Sequence, residues 1–212
     1  LLDLPLPPDP PFLPDRCGSC TRCLEACPTA CILPDRTLDA ARCISTLTIE
    51  LKGAIPLDLR PHMGNWVFGC DVCQQVCPWN RFAAKEEGGG KREEGGEIVA
   101  LREEIALTPA EFRRKYRGSA IQRTKRRGYL RNVAVALGNS RDPAAIPALA
   151  AALRDEEPLV RSHAAWALGQ LGDRATLHAA LELETDPAVR TEIELALSAT
   201  EQTSRVLETR EV

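Results

Sequence analysis

Nine cysteines occupy positions 17, 20, 23, 27, 31, 43, 70, 73 and 77, and none lies beyond. Five of them fall within "CGSCTRCLEACPTAC", residues 17–31. Thiols at this density pair as disulfides, close on zinc, or hold iron and sulfide. Nine is odd, so a full disulfide framework strands one thiol. The first residues also lack the charged-then-apolar order of a secretion signal, which would accompany an oxidising compartment. Four thiolates make a closed zinc site. Zinc, however, supplies no reason for a third Cys three residues after a Cys-x2-Cys pair, a fourth four residues later, and then Pro.

The run Cys17-x2-Cys20-x2-Cys23-x3-Cys27-Pro28 is the bacterial ferredoxin pattern, in which three thiolates serve one iron–sulfur cubane and the fourth serves its neighbour. A second run, Cys70-x2-Cys73-x3-Cys77-Pro78, repeats the end of that pattern but has Val67 where its first cysteine would stand, and Cys43 upstream can supply the missing ligand. The crossover rule then predicts one [4Fe–4S] cluster on Cys17, Cys20, Cys23 and Cys77, and another on Cys27, Cys43, Cys70 and Cys73. Cys31 is left over and is expected to be a small buried apolar residue. Two such clusters relay single electrons and imply a reducing compartment, the cytoplasm.

Around the thiols the chain divides by composition. Residues 1–16 are Pro-rich, cannot be helical, and read as a linker leaving an earlier domain that this sequence lacks. Residues 17–84 form the predicted two-cluster domain. Residues 85–97, "KEEGGGKREEGGE", have no apolar anchor and read as a flexible charged linker. Residues 98–212 hold a basic segment and then repeats. No run of about 18 apolar residues occurs, so no helical membrane span is expected. The net charge is −3, so any affinity for nucleic acid has to come from a local patch.

Such a patch is present. Nine Lys/Arg and no Asp/Glu lie between Arg113 and Arg131, a density suited to phosphate oxygens. Thr108, Pro109 and Glu111 mark a helix start with a capping box. Tyr116 and Tyr129 are read as packing residues. Beyond them "LRNVAVALGN" (130–139), "VRSHAAWALGQLGD" (160–173) and "VRTEIELALS" (189–198) recur at offsets of about 30 residues, punctuated by Asp142-Pro143, Glu157-Pro158 and Asp186-Pro187. This is the signature of stacked helix pairs of HEAT type. Arg161 and Arg190 are expected to bridge repeats, Arg131 to do that and contact phosphate as well, and Trp166 to lie in the core. His163 and His178 lack any partner pattern and carry no predicted metal or catalytic role.

The stretches "CGSCTRCLEACPTACI", "RCISTLTIELKGAIP", "LRPHMGNWVFGCDVCQQVCPWN" and "SAIQRTKRRGYLRNVAVALGN", with the repeats after them, resemble the epoxyqueuosine reductases. The resemblance implies a mainly α fold: a bacterial-ferredoxin-like two-[4Fe–4S] lobe followed by HEAT-like helical repeats. It implies an oxidoreductase that reduces epoxyqueuosine to queuosine in tRNA, with the clusters feeding electrons to cobalamin bound in an N-terminal domain. Because that domain is not in this sequence, the chain is expected to be incomplete for catalysis and no catalytic residue is assigned. Ser45, Asp71 and Gln74 match positions that could face the corrin. Arg117, Arg123, Lys125, Arg126 and Arg131 are the candidate phosphate contacts to the tRNA anticodon stem-loop. The resemblance further implies an external electron donor such as a flavodoxin or ferredoxin, and a monomer. Read from the residues alone, three alternatives stay open: a ferredoxin-type carrier serving a protein partner, a HEAT scaffold with structural clusters, and a relative of the cobalamin-dependent reductive dehalogenases.

Overall fold

The structure, a computed structural model, describes residues 7–8, 16–82 and 100–208. The predicted linker at 85–97 and nearly all of 1–16 lie outside the described residues. Short helices carry the thiol lobe: α1 (Arg22–Ala26), α2 (Ile44–Ile49) and α3 (Val72–Gln75), with single 3₁₀ turns at Arg60–Met63 and Pro78–Phe82. Among the described residues the only sheet-like pairing is an isolated antiparallel bridge between Ile32 and Leu38. After the helical residues 100–104 (α4) come α5 (Pro109–Lys115), α6 (Lys125–Ser140), α7 (Ile146–Ala152), α8 (Pro158–Gln170), α9 (Arg174–Leu183) and α10 (Pro187–Glu208).

Local chemistry explains where these helices start. Thr108 and Glu111 form the complete capping box before α5, with Pro109 at its first position. Asp173 accepts the N–H of Thr176 ahead of α9, and Asp186 accepts those of Ala188 and Val189 ahead of α10. Each Xaa-Pro pair thus opens a helix or a 3₁₀ turn as well as ending the preceding connection.

The repeats stack α6 on α8 and α8 on α10. Close approach is enforced by glycine in the recurring Ala-Leu-Gly. A Cβ on Gly138 would come within 2.9 Å of the Ala167 backbone, and one on Gly169 within 2.8 Å of Ala196. Leu130, Val133, Leu137, Val160, Leu168, Leu177 and Ile193 fill the space between these helices, all fully buried.

Helix α6 is buried on every side from Gly128 to Gly138 because the thiol lobe covers the face that the repeats leave. Polar side chains make that joint. Arg131 donates to the carbonyls of Leu47 (2.6 Å), Leu51 (2.9 Å) and Gly53 (2.6 Å), at and just past the end of α2. Asn132 donates to the carbonyls of Thr48 and Val67, and Asn139 to those of Arg60 and Gly64. Arg60 pairs through both amino nitrogens with Glu192 on α10. His163 on α8 accepts the N–H of Ile55.

The recurring arginine shares one task in all three registers, and Arg161 also pairs with both carboxylate oxygens of Glu184. Arg161 donates to the carbonyls of Asp155 and Glu156, and Arg190 to those of Leu181 and Glu184. Each closes the carbonyl end of the segment before it. Arg131 does the same for α2, so the thiol lobe supplies the carbonyls that a preceding repeat would.

Candidate iron–sulfur site and nucleic-acid interface

The structure sorts the thiols into two hollows. Cys17, Cys20, Cys23 and Cys77 line the first, of about 50 Å³, together with Arg22, Pro78 and Trp79. Cys27, Cys43, Cys70 and Cys73 line the second, of about 230 Å³, together with Cys31. Cys77 reaches the first set because α3 packs on α1, so a run that starts in one hollow ends in the other. Turns hold the first loop open: the N–H of Cys20 donates to Cys17 O, Gly18 takes the left-handed conformation at φ +52°, and Arg36 donates to the carbonyls of Gly18 and Cys20. Among the described residues no three Cys, His, Asp or Glu side chains converge as a single metal ion requires. The thiols stand instead around the walls of the two spaces.

The chemistry of the donors suits thiolate ligation. Burial opposes ionisation of Cys27, but the N–H and thiol of Cys31, with Thr29, outweigh it and draw the Cys27 thiol below its ordinary value. Burial, and then Cys27 itself, push Cys31 up to about 12. Cys31 is 4% exposed, with its sulfur 3.3 Å from that of Cys27. It is therefore buried, as expected, but it is also a donor to a predicted ligand. Burial likewise raises Cys70.

Ser45, Asp71 and Gln74 all line the second hollow, alongside Pro28, Ile32 and Leu38. Asp71 is exposed at the start of α3 and makes no capping hydrogen bond. Gln74 lies at the margin, its amide nitrogen 3.9 Å from Cys73 Sγ and its oxygen accepting from Asn80.

The basic segment divides. Arg117, Arg123 and Lys125 are exposed; Arg123 also pairs with Glu50, and Lys52 donates to the Arg123 carbonyl. Two expected phosphate contacts are corrected. Arg131 is fully buried and its guanidinium is spent on Asn132 and the three lobe carbonyls, which leaves it no path to a phosphate. Arg126 turns inward, donating to the Leu107 carbonyl at 2.6 Å and to both carboxylate oxygens of Asp155, with 14% of its side chain exposed. Arg113, Arg114 and Arg127 are exposed and belong to the same surface, although the choice of five passed over them. Tyr116 and Tyr129 pack on Phe112 and direct their hydroxyls to Glu104, so they are packing residues. His163 is neutral, its pKa driven well below 6.5 by burial and then by Arg60.

Comparison with known proteins follows this division. Residues 16–80 match the 4Fe-4S double cluster binding domain, and residues 119–204 match HEAT repeats. The epoxyqueuosine reductase of Xanthomonas campestris pv. campestris is 46% identical over 175 residues, covering 81% of this chain and 48% of that protein. That of Escherichia coli K12 is 44% identical over 178 residues, covering 82% and 46%. A crystal structure of selenomethionine-labelled epoxyqueuosine reductase superposes with a TM-score of 0.77 at 37% identity, over 92% of this chain and 53% of that one. A crystal structure of epoxyqueuosine reductase with a tRNA-Tyr epoxyqueuosine-modified stem loop superposes with a TM-score of 0.76 at 36% identity, over 93% and 53%. Over 81–82% of its length in sequence and 92–93% in backbone, this chain is similar to the epoxyqueuosine reductases, and it spans about half of their length.

Proposed function

We propose that this chain forms the electron-delivering and tRNA-docking part of an enzyme that reduces epoxyqueuosine in tRNA to queuosine. The observation that carries the reading is a physical joint. Helix α6 begins at Lys125 in the basic surface, and six residues on, Arg131 grips the carbonyls that lie between Cys43 and Cys70. A bound polyanion and the thiol hollows are thus held in fixed relation.

When bound, two [4Fe–4S] clusters supply one-electron relay, and a cobalamin supplies the reducing centre that takes the epoxide oxygen. The residues fit these groups. The first hollow offers four thiols and the second four besides Cys31, and the rim of the second combines apolar Pro28, Ile32 and Leu38 with polar Ser45, Asp71 and Gln74, which suits the apolar face and amide fringe of a corrin. The thiols of the first set would hold one cluster and Cys27, Cys43, Cys70 and Cys73 the other, with Cys31 hydrogen-bonded to Cys27. Arg117, Arg123 and Lys125, extended by Arg113, Arg114 and Arg127, attract the tRNA phosphates. A tRNA substrate places the reaction in the cytoplasm.

The test is binding of an epoxyqueuosine-modified stem loop to anaerobically purified protein across a salt series. Wild type should lose affinity steeply with salt. The Arg117→Glu/Arg123→Glu/Lys125→Glu variant should bind at least tenfold more weakly at low salt, with a shallower salt slope. Equal binding by both proteins would remove this surface from the tRNA interface.

A further inference from the structure

The two hollows have rims of opposite character. The charged residue lining the second is Asp71, set among apolar neighbours. The charged residue lining the first is Arg22, which also borders an open depression beside Cys77 with Arg81. Trp79 lies against the same thiols, 56% exposed, and its indole N–H donates to the carbonyl of Arg16, another exposed cation. Glu25 lies on the same helix as Arg22, where it is engaged by Thr21.

We propose that this face, an exposed indole set among Arg16, Arg22 and Arg81, docks a small acidic one-electron carrier, and that electrons come in through the first thiol set. The inference rests on the reading that both hollows hold clusters. Charge is what selects the partner. A basic rim steers an acidic carrier at long range, while one aromatic anchor gives a small contact the short-range hold that fast turnover tolerates. Redox encounters are typically of this small, transient kind. In the transfer, one electron would leave the carrier's reduced flavin, oxidising it by one electron, and reduce by one electron the group that Cys17, Cys20, Cys23 and Cys77 would hold. No bond forms or breaks on this chain. The apolar, acid-bearing rim of the second hollow stays clear for the group the electrons are meant to reach.

The experiment mixes cluster-loaded protein with a reduced flavodoxin in an anaerobic stopped-flow and follows bleaching of the cluster absorption. Wild type should react more slowly as salt rises. Arg22→Glu/Arg81→Glu should react at least tenfold more slowly at low salt and lose the salt dependence, with iron and sulfide content unchanged. Reduced methyl viologen, a small cation, should reduce the variant as fast as wild type or faster. If the reversed variant loads iron poorly, Arg22→Gln/Arg81→Gln gives the same comparison without charge reversal and should still be several-fold slower. An unchanged flavodoxin rate in fully loaded variants would overturn the proposal. So would an equal loss of rate in Arg117→Glu/Arg123→Glu, which would mark a general charge effect. Weakened stem-loop binding by the Arg22/Arg81 variants with an unchanged flavodoxin rate would assign the face to tRNA instead. Wild-type protein without iron and sulfide is a separate result, since it removes the clusters themselves.

Discussion

Ile55 donates its backbone N–H to Nε2 of His163 at 3.2 Å, joining residues 108 positions apart across the boundary between thiol lobe and repeats. The opposite ring nitrogen, Nδ1, lies 2.8 Å from the Leu159 carbonyl, so it carries the proton and the ring is neutral. A protonated ring would present a second N–H to an N–H, beside Arg60 and Arg131.

Stability should therefore fall in mild acid. The folded-state pKa of His163 is depressed, so the unfolded chain binds the extra proton more readily. Its contribution is fully present above about pH 6.5 and should be lost at about 1.4 kcal/mol per pH unit below that, until the folded value is reached. Denaturant titrations at pH 7.5, 6.5 and 5.5 should show this slope, and His163→Gln should flatten it. An unchanged slope in the variant would reassign the acid sensitivity to other groups.

Arg131 should behave as a structural residue. Arg131→Ala strips the carbonyls of Leu47, Leu51 and Gly53 of their donor at a buried joint, at about 1–3 kcal/mol for each left unpaired. Arg131→Lys should rescue only part, because an ammonium lacks the planar fork that reaches all three. Tm should drop in both, while the salt slope of stem-loop binding by the folded fraction stays at the wild-type value.

Gly138→Ala should cost about 1–3 kcal/mol by overpacking, because its methyl would meet the backbone of Ala167 and the ring of Trp166. Gly128→Ala, whose methyl would sit 3.6 Å from Thr124, is the control and should be near neutral or better. Paired thermal melts separate the two.

Metal content should separate the ninth cysteine from the eight. Two cubanes give about eight iron and eight sulfide per chain. Cys31→Ala should keep close to that number, and Cys27→Ala should fall toward about four. Loss of a cluster in Cys31→Ala would make Cys31 a ligand in place of one of the eight.

The spacing of the cysteines anticipated which thiols share each hollow except for Cys31, which it left over and which lines the second; the crossover of Cys27 and Cys77 follows from helix direction. The repeats were legible through their period and their Xaa-Pro punctuation. The fate of each arginine was not. Counting charge put Arg126 and Arg131 on the surface, yet Asp155, 29 positions away, claims the first, and carbonyls about 80 positions away claim the second. One local sign was available: Arg131 is the lone charge in the run "YLRNVAVALG", which marks a helix covered all round. The joint made by Asn132, Asn139 and His163 had no such sign, since each partner is a main-chain group.

That joint has a consequence for the order of biosynthesis. A ribosome releases all nine thiols by residue 77, while the side chains that pin the stretch between Cys43 and Cys70 arrive at 131, 132, 139, 163 and 192. Until those emerge, the two walls of the second hollow keep the bond from the Gly69 N–H to the Thr48 hydroxyl but lack the donors that the repeats bring to the Leu47, Thr48, Leu51, Gly53 and Val67 carbonyls. Cofactor insertion there would accordingly follow synthesis of the repeats, and a nascent chain stalled short of them would carry its cysteines less protected from whatever oxidant or stray metal the cell provides.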